Sequence, residues 1–336
     1  MNRISKKIIT EYIDNAIHNM DLKSHHISND EIRVKVGRMT LEEKKSLLDD
    51  KMNPFEKRNY DDLYKDLEVW ESVVEDEKSN GVENPYSAKE LKKAIEGIFN
   101  YEKRIIRGYD LDKHKDKVPS YDLNDFNEEK YGDDGDVNIG SLEQSQLDYQ
   151  EKHMYIDGEH ILEDKEVSSL KDYFGRKSGQ INSQLSKKYK NGLWGEIPSD
   201  MQKEWKEDNK NIIPNIDSAM KKSPNLEVNT VLYHGVQDSQ IVDIHSRVGD
   251  KVNLTSFIST SYSERVGKSY GENIGGKTLY VKFLAPKNTR GLCANDKHLT
   301  LTGYPTEHEY LLDRNQKGSI VDINYDTGIV TILLDT

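Results

Sequence analysis

Apolar residues recur at helical spacing from the start of the chain, where Ile4, Ile8, Ile9, Tyr12, Ile13, Ala16, Ile17 and Met20 form one stripe. Two capping boxes, Thr40-Leu41-Glu42-Glu43 and Ser87-Ala88-Lys89-Glu90, predict further helix starts. The second leads into Leu91, Ala94, Ile95, Ile98 and Phe99 on one face. Residues 1–115 therefore read as a helical N-terminal domain. A plain structural role, or a part in delivery or partner docking, is open to it.

The texture changes after about residue 155. One helical stretch carries Val167, Leu170, Phe174, Ile181 and Leu185, and a second carries Ile212, Ile213, Ile216 and Met220. Short strands follow at Val231–His234, Leu254–Thr260, Thr278–Leu284, Glu307–Leu312, Ser319–Asn324 and Ile329–Leu334. The last two are joined through Tyr325-Asp326-Thr327-Gly328, which suits a tight hairpin. Helices first and strands afterwards predict an α+β domain over residues 156–336. No G-x-G-x-x-G or Walker motif is present to suggest a doubly wound nucleotide-binding sheet.

Composition adds exclusions. The 336 residues are 34% hydrophobic and 32% charged, with a formal charge of -12, which argues against general nucleic-acid binding. Charge or amide interrupts every apolar run, so neither a signal peptide nor a membrane span is expected. The chain reads as a soluble protein made in the cytoplasm, with release or delivery into a target cell left open. Residues 116–155 read as an acidic, solvated linker: Asp122, Asp125, Glu128, Glu129, Asp133, Asp134 and Asp136 face the single Lys130 between positions 120 and 140. Asp134, Asp136 and Asn138 have calcium-loop spacing, but Ile139 replaces the turn glycine and Ser145 the bidentate glutamate, so no calcium loop is expected. The lone Cys293 excludes an internal disulfide, and His245, His298 and His308 share no metal-ligand spacing with it, so no metal site is expected.

Glu307-His308-Glu309 is the segment that carries chemistry. On a strand, alternation places both carboxylates on one face about 7 Å apart and turns His308 away. An isolated E-x-E is usually a solvated edge. Here Gly303-Tyr304-Pro305-Thr306 forms a turn with an exposed aromatic upstream, and Tyr310-Leu311-Leu312 anchors the strand downstream.

The segment from Gly303 to Leu312 resembles the substrate loop and E-x-E strand of arginine-specific mono-ADP-ribosyltransferases. Phe257-Ile258-Ser259-Thr260-Ser261 is similar to that family's Ser-Thr-Ser strand, and Leu279 to Lys287 to its strand ending in a Pro-Lys turn. Lys171-Asp172-Tyr173-Phe174-Gly175 with Ile181-Asn182 is similar to the helix beside the nicotinamide. The resemblance runs from about residue 160 to the C-terminus. It is nearest to the catalytic domains of binary actin-modifying toxins and of phage-borne relatives.

The resemblance implies NAD+ as co-substrate and an ADP-ribosyltransferase fold, a mixed, mainly antiparallel β-sandwich with flanking helices. It implies that Glu309 serves nicotinamide cleavage, held by Ser259, through an oxocarbenium-like state that a carboxylate stabilises. Glu307 would help an acceptor arginine lose a proton, and Tyr304 would lie against the target side chain. Tyr173, Asn182, Tyr233, His234, Gly235, Thr260, Ser261 and Arg265 are the implied dinucleotide contacts, Thr260 and Ser261 ranking below Ser259. The family's first strand carries Tyr-Arg, whereas this chain has Tyr233-His234. An imidazole cannot replace a bidentate guanidinium at a pyrophosphate. Three readings stay open: His234 bonds a ribose hydroxyl as in the diphtheria-like class, Arg290 or Arg247 supplies the charge, or NAD+ binding is impaired. The implied activity is toxin-like transfer to an arginine of a host protein, with actin and a bacterial protein both open as target and residues 1–150 available to a translocation partner. NAD+ glycohydrolysis and a catalytically silent binding module are the alternatives.

Overall fold

The computed structural model describes residues 46, 51–82, 84–106, 118–131, 138–186, 198–236, 241–242, 245–274 and 277–335. The stripe from Ile4 to Met20 and the box at Thr40 lie outside them. Two compact units divide the chain, Met1–Lys113 and His114–Thr336.

In the first unit, helix α1 (Pro54–Ser79) starts where Asn53 and Glu56 cap each other reciprocally, with Pro54 at the first position, where a missing N–H costs nothing. Helix α2 (Pro85–Ile106) buries Leu91, Ala94, Ile95 and Ile98 as its spacing predicts. Its start differs from the predicted box. Asn84 accepts from the Tyr86 N–H and Pro85 opens the helix, so Ser87 already lies inside it and donates across to Glu77 at 2.8 Å.

In the second unit, residues predicted as solvated linker are built in. Phe126, Tyr121 and Val118 pack on Val231, Tyr233, Tyr280, Leu284 and Val321, and Asn127 bridges Thr230. Helix α3 (Ser141–Met154) follows, its first N–H groups at Leu142 and Glu143 bound by the Glu129 carboxylate at 2.7 and 3.0 Å. Its buried stripe is Glu143, Gln146, Gln150 and Met154, spaced as a helix face but polar at three of four positions. Gln150 bonds both backbone groups of Cys293, and Gln146 bonds the Asn225 carbonyl and the Glu227 N–H.

The two-residue strands β1 (Tyr155–Ile156) and β2 (Glu159–His160) form a hairpin. Helix α4 (Asp164–Asp172) runs through a π turn at Tyr173–Lys177 into α5 (Ser178–Leu185). The unpredicted α6 (Ser199–Asn209) buries only Asn209 of its own residues, so it has no stripe to read. Helix α7 (Ile212–Lys222) buries Ile212, Ile213, Ile216 and Met220 as predicted. Helices α3, α4, α5 and α7 close one apolar cluster with Phe257, Leu292 and Leu311.

The strands are β3 (Thr230–Gly235), β4 (Lys251–Leu254), β5 (Ile258–Ser261), β6 (Glu272–Ile274), β7 (Lys277–Ala285), β8 (Gly291–Cys293), β9 (Glu309–Leu312), β10 (Gln316–Asn324) and β11 (Ile329–Leu334), with the short helix α8 (Glu264–Ser269) between β5 and β6. Their order is β4-β10-β11-β7-β3-β5-β9-β8, with β6 beside β7, and every pair is antiparallel except β11–β7. The predicted single strand over Leu254–Thr260 is thus two strands, β4 and β5, five places apart in that order. In a flat sheet five steps cover about 24 Å. The four residues from Leu254 to Ile258 reach at most about 14 Å. The sheet must fold back on itself, and the equally short link from β9 to β10 requires the same closure. The predicted mixed, mainly antiparallel sandwich with flanking helices is what the chain builds. No helix among the described residues is long and apolar enough to cross a membrane.

Candidate active site

Ser259, His234 and Glu309 come from three neighbouring strands, β5, β3 and β9, and meet at Ser259, whose backbone bonds His234 and whose side chain bonds Glu309. The E-x-E segment is not one strand. Pro305–Glu307 is a 3-10 turn closed by the Glu307 N–H on the Tyr304 carbonyl, and His308 has left-handed backbone angles, φ 50 and ψ 46. Strand β9 begins only at Glu309. Proline's fixed φ starts the turn and the left-handed residue ends it, so alternation does not relate the two carboxylates.

Glu309 is buried at 8% exposure, opposite Ser261 and diagonal to Ser259. Burial pushes its carboxyl pKa up to about 7, opposed by a hydrogen bond from Ser259 and reinforced by the charge of Glu307. Behind Ser259 lies Tyr173, on the π turn, which donates to the Phe257 carbonyl and accepts from the Asn182 amide at 3.0 Å. Burial raises the Tyr173 phenol well above its ordinary value, and Ser259 also bonds it. Asn182, Tyr173, Ser259 and Glu309 therefore form a chain of contacts that fixes one carboxylate.

The His234 Nδ1 lies 2.7 Å from the Ser259 carbonyl oxygen. A carbonyl only accepts, so Nδ1 carries the proton and Nε2 presents a lone pair. Burial lowers the imidazole pKa, which keeps the ring neutral near pH 7. Alternation sends Tyr233 to the opposite face, where its hydroxyl donates to Glu128 and Lys282 sits 5.7 Å over its ring. Tyr233 does not share the face of His234. Gly235 admits the Tyr270 backbone: a Cβ there would stand 2.2 Å from the Tyr270 carbonyl carbon. Thr260 donates to the Tyr310 carbonyl, and Ser261 to the Glu307 carbonyl at 2.7 Å, so both hydroxyls brace β9 and the turn before it.

Glu307 is half-buried on the turn and accepts a 2.6 Å bond from the Tyr270 hydroxyl, a contact the sequence reading missed because no spacing relates residues 270 and 307. That bond, burial and the nearby carboxylates push the Tyr270 phenol up to about 12, so it stays a donor. Tyr304 is 61% exposed beside this turn. Arg265 is exposed on α8, which packs on β3 through Gly267. The other two cations considered lie elsewhere. Arg290 pairs with Asp313 beyond the far end of β9, and Arg247 stands in the loop bonded to β10 through Gly249 and Asp250. Among the described residues no group of three or more His, Cys, Asp or Glu side chains could hold a metal.

The structure resembles the C3 exoenzyme of Clostridium limosum at 19% identity, covering 63% of this chain and 98% of that one, with a TM-score of 0.41. It also resembles C3stau2 of S. aureus, solved with NAD, at 17% identity, covering 62% and 100%, with a TM-score of 0.42. A third neighbour is the Vis toxin, an ADP-ribosyltransferase from Vibrio splendidus, at 16% identity, covering 63% and 89%, with a TM-score of 0.41. No curated protein matches. The family model described as ADP-ribosyltransferase exoenzyme matches residues 144–336, which is more than half of the chain and begins inside α3. The chain belongs to the ADP-ribosyltransferase exoenzyme family, whose members use NAD+ as substrate.

Proposed function

We propose that this protein transfers ADP-ribose from NAD+ to an arginine of a target protein, as a toxin-like effector. The observation that carries the reading is the unequal pair of carboxylates. Glu309 is buried and braced by Ser259, whereas Glu307 stands half-buried on a turn next to the exposed Tyr304.

In this reading Glu309, ionised, orients the nicotinamide ribose and stabilises the positive charge that develops as the glycosidic bond breaks. The Nε2 lone pair of neutral His234 accepts from a ribose hydroxyl. Arg265, carried on a helix packed against β3, supplies the cation for the pyrophosphate that His234 cannot supply. Tyr173 and Asn182 act through Ser259. Glu307 accepts a proton from the incoming guanidinium, which is otherwise always charged, and Tyr304 stacks on it.

The test is incubation of the full chain with labelled NAD+ and either a cell lysate or agmatine, a small guanidine acceptor, beside Glu309→Ala. Labelled acceptor that disappears in the variant is the expected result. Nicotinamide release without any labelled acceptor would replace transfer by NAD+ hydrolysis. Absence of both would leave a binding module.

A further inference from the structure

Between the two carboxylates stands a side chain that the proposed chemistry does not use. His308 holds a left-handed backbone, φ 50, which strains a residue with a Cβ. Its imidazole is 1% exposed, and Nδ1 lies 2.7 Å from Oε2 of Glu143, itself 0% exposed. The ring packs on Tyr131, with centroids 4.8 Å apart. The other Glu143 oxygen accepts from the Asn295 amide at 2.6 Å, and that amide also donates to the Pro305 carbonyl at 2.8 Å. Glu143 thus grips both ends of the Pro305–His308 turn, one directly and one through Asn295.

The grip is itself anchored. The Glu143 N–H is bound by Glu129 at the start of α3, and Gln150 ties the next turns of α3 to Cys293 on β8. A buried acid and imidazole contribute little net stability over apolar packing of the same volume. What this pair supplies is an anchor at both ends of the turn.

We infer that His308 and Glu143 form a positioning pair for ADP-ribosyl transfer. Their bond fixes the left-handed turn that lifts Glu307 off strand β9 and sets its place relative to Glu309, which favours a protein acceptor over water. The inference rests on the assignment of Glu307 to the acceptor.

The test uses the full chain and two assays, nicotinamide release from NAD+ alone and ADP-ribosyl transfer to agmatine, with a thermal melt for each variant. His308→Gly keeps the left-handed turn without strain and loses its anchor. Glu143→Gln keeps shape and loses charge. His308→Asn tolerates the backbone and retains a donor. For His308→Gly and Glu143→Gln, kcat/KM for agmatine should fall roughly tenfold to a hundredfold, the size of a misplacement near 1 Å. Nicotinamide release should stay within about threefold. His308→Asn should recover part of the loss. Unchanged kcat/KM for agmatine, or parallel loss of both activities in step with the melting temperature, overturns the inference. Glu307→Gln separates the two levels. Loss of transfer in that variant, with normal transfer in the pair variants, removes the inference alone, whereas intact transfer in Glu307→Gln removes the assignment of Glu307 as well.

Discussion

Glu309 and Glu307 are two residues apart in sequence and differ in almost every physical respect. Glu309 opens a strand buried at all four positions, receives a hydrogen bond from Ser259 and is pushed toward neutrality by burial. Glu307 ends a 3-10 turn, faces Tyr270 and the exposed Tyr304, and owes its place to a left-handed residue anchored on a distant helix. The difference shows how one short motif can carry two chemically unlike carboxylates, and the proposed roles follow it: a rigid, desolvated group suits charge stabilisation, and a turn-borne group suits an acceptor that arrives from solution.

The strongest way to break this contrast is Glu309→Gln, which should lower nicotinamide release about a thousandfold, with transfer falling alongside; a loss of transfer alone would reverse the assignment. The same variant carries a stability signature. The folded pKa of Glu309 is raised from 4.5 to about 7, so the contribution of this group to stability is full below the unfolded value and is lost as pH rises through the folded one. Glu309→Gln should therefore be more stable than wild type at pH 8, by on the order of 3 kcal/mol, and match it at pH 4, as thermal melts at the two pH values would read. Glu307→Gln should cut transfer to agmatine about a hundredfold while leaving nicotinamide release near wild type. Equal effects on both assays would erase the contrast.

Ser259→Ala sharpens the comparison at a smaller scale. Glu309 works ionised, so NAD+ cleavage should rise with pH up to about 7 and then level off. Removing the hydroxyl removes the interaction that lowers this pKa, so the rising limb should move to higher pH and cost up to about tenfold at pH 7. A profile unchanged from wild type would show that Ser259 does not hold the carboxylate.

How far these features could be read in advance is clearest from two helices. Helix α7 was legible because Ile212, Ile213, Ile216 and Met220 are apolar and buried at helical spacing. Helix α3 was read as linker because its buried face is Glu143, Gln146 and Gln150, and a polar stripe is indistinguishable from a solvated one until its partners are known. Those partners are Asn225, Cys293 and His308, far away in sequence. The stretch from Leu254 to Thr260 reads as one strand because Thr, Phe and Ile favour strands and no Gly or Pro marks the corner where the chain crosses from β4 to β5.

The sequence by itself determined the α+β class, the strands at Val231, Thr278, Ser319 and Ile329, and the hydroxyl and carboxylates of Ser259, Glu307 and Glu309, because side-chain periodicity and chemical type are local properties. Only the tertiary structure decided that Glu307 leaves the strand, that the Tyr233 hydroxyl meets Glu128, and that Tyr270 and Glu143 reach the E-x-E turn. Those outcomes depend on hydrogen bonds and close approaches between residues 37 to 165 positions apart, for which a linear pattern has no period.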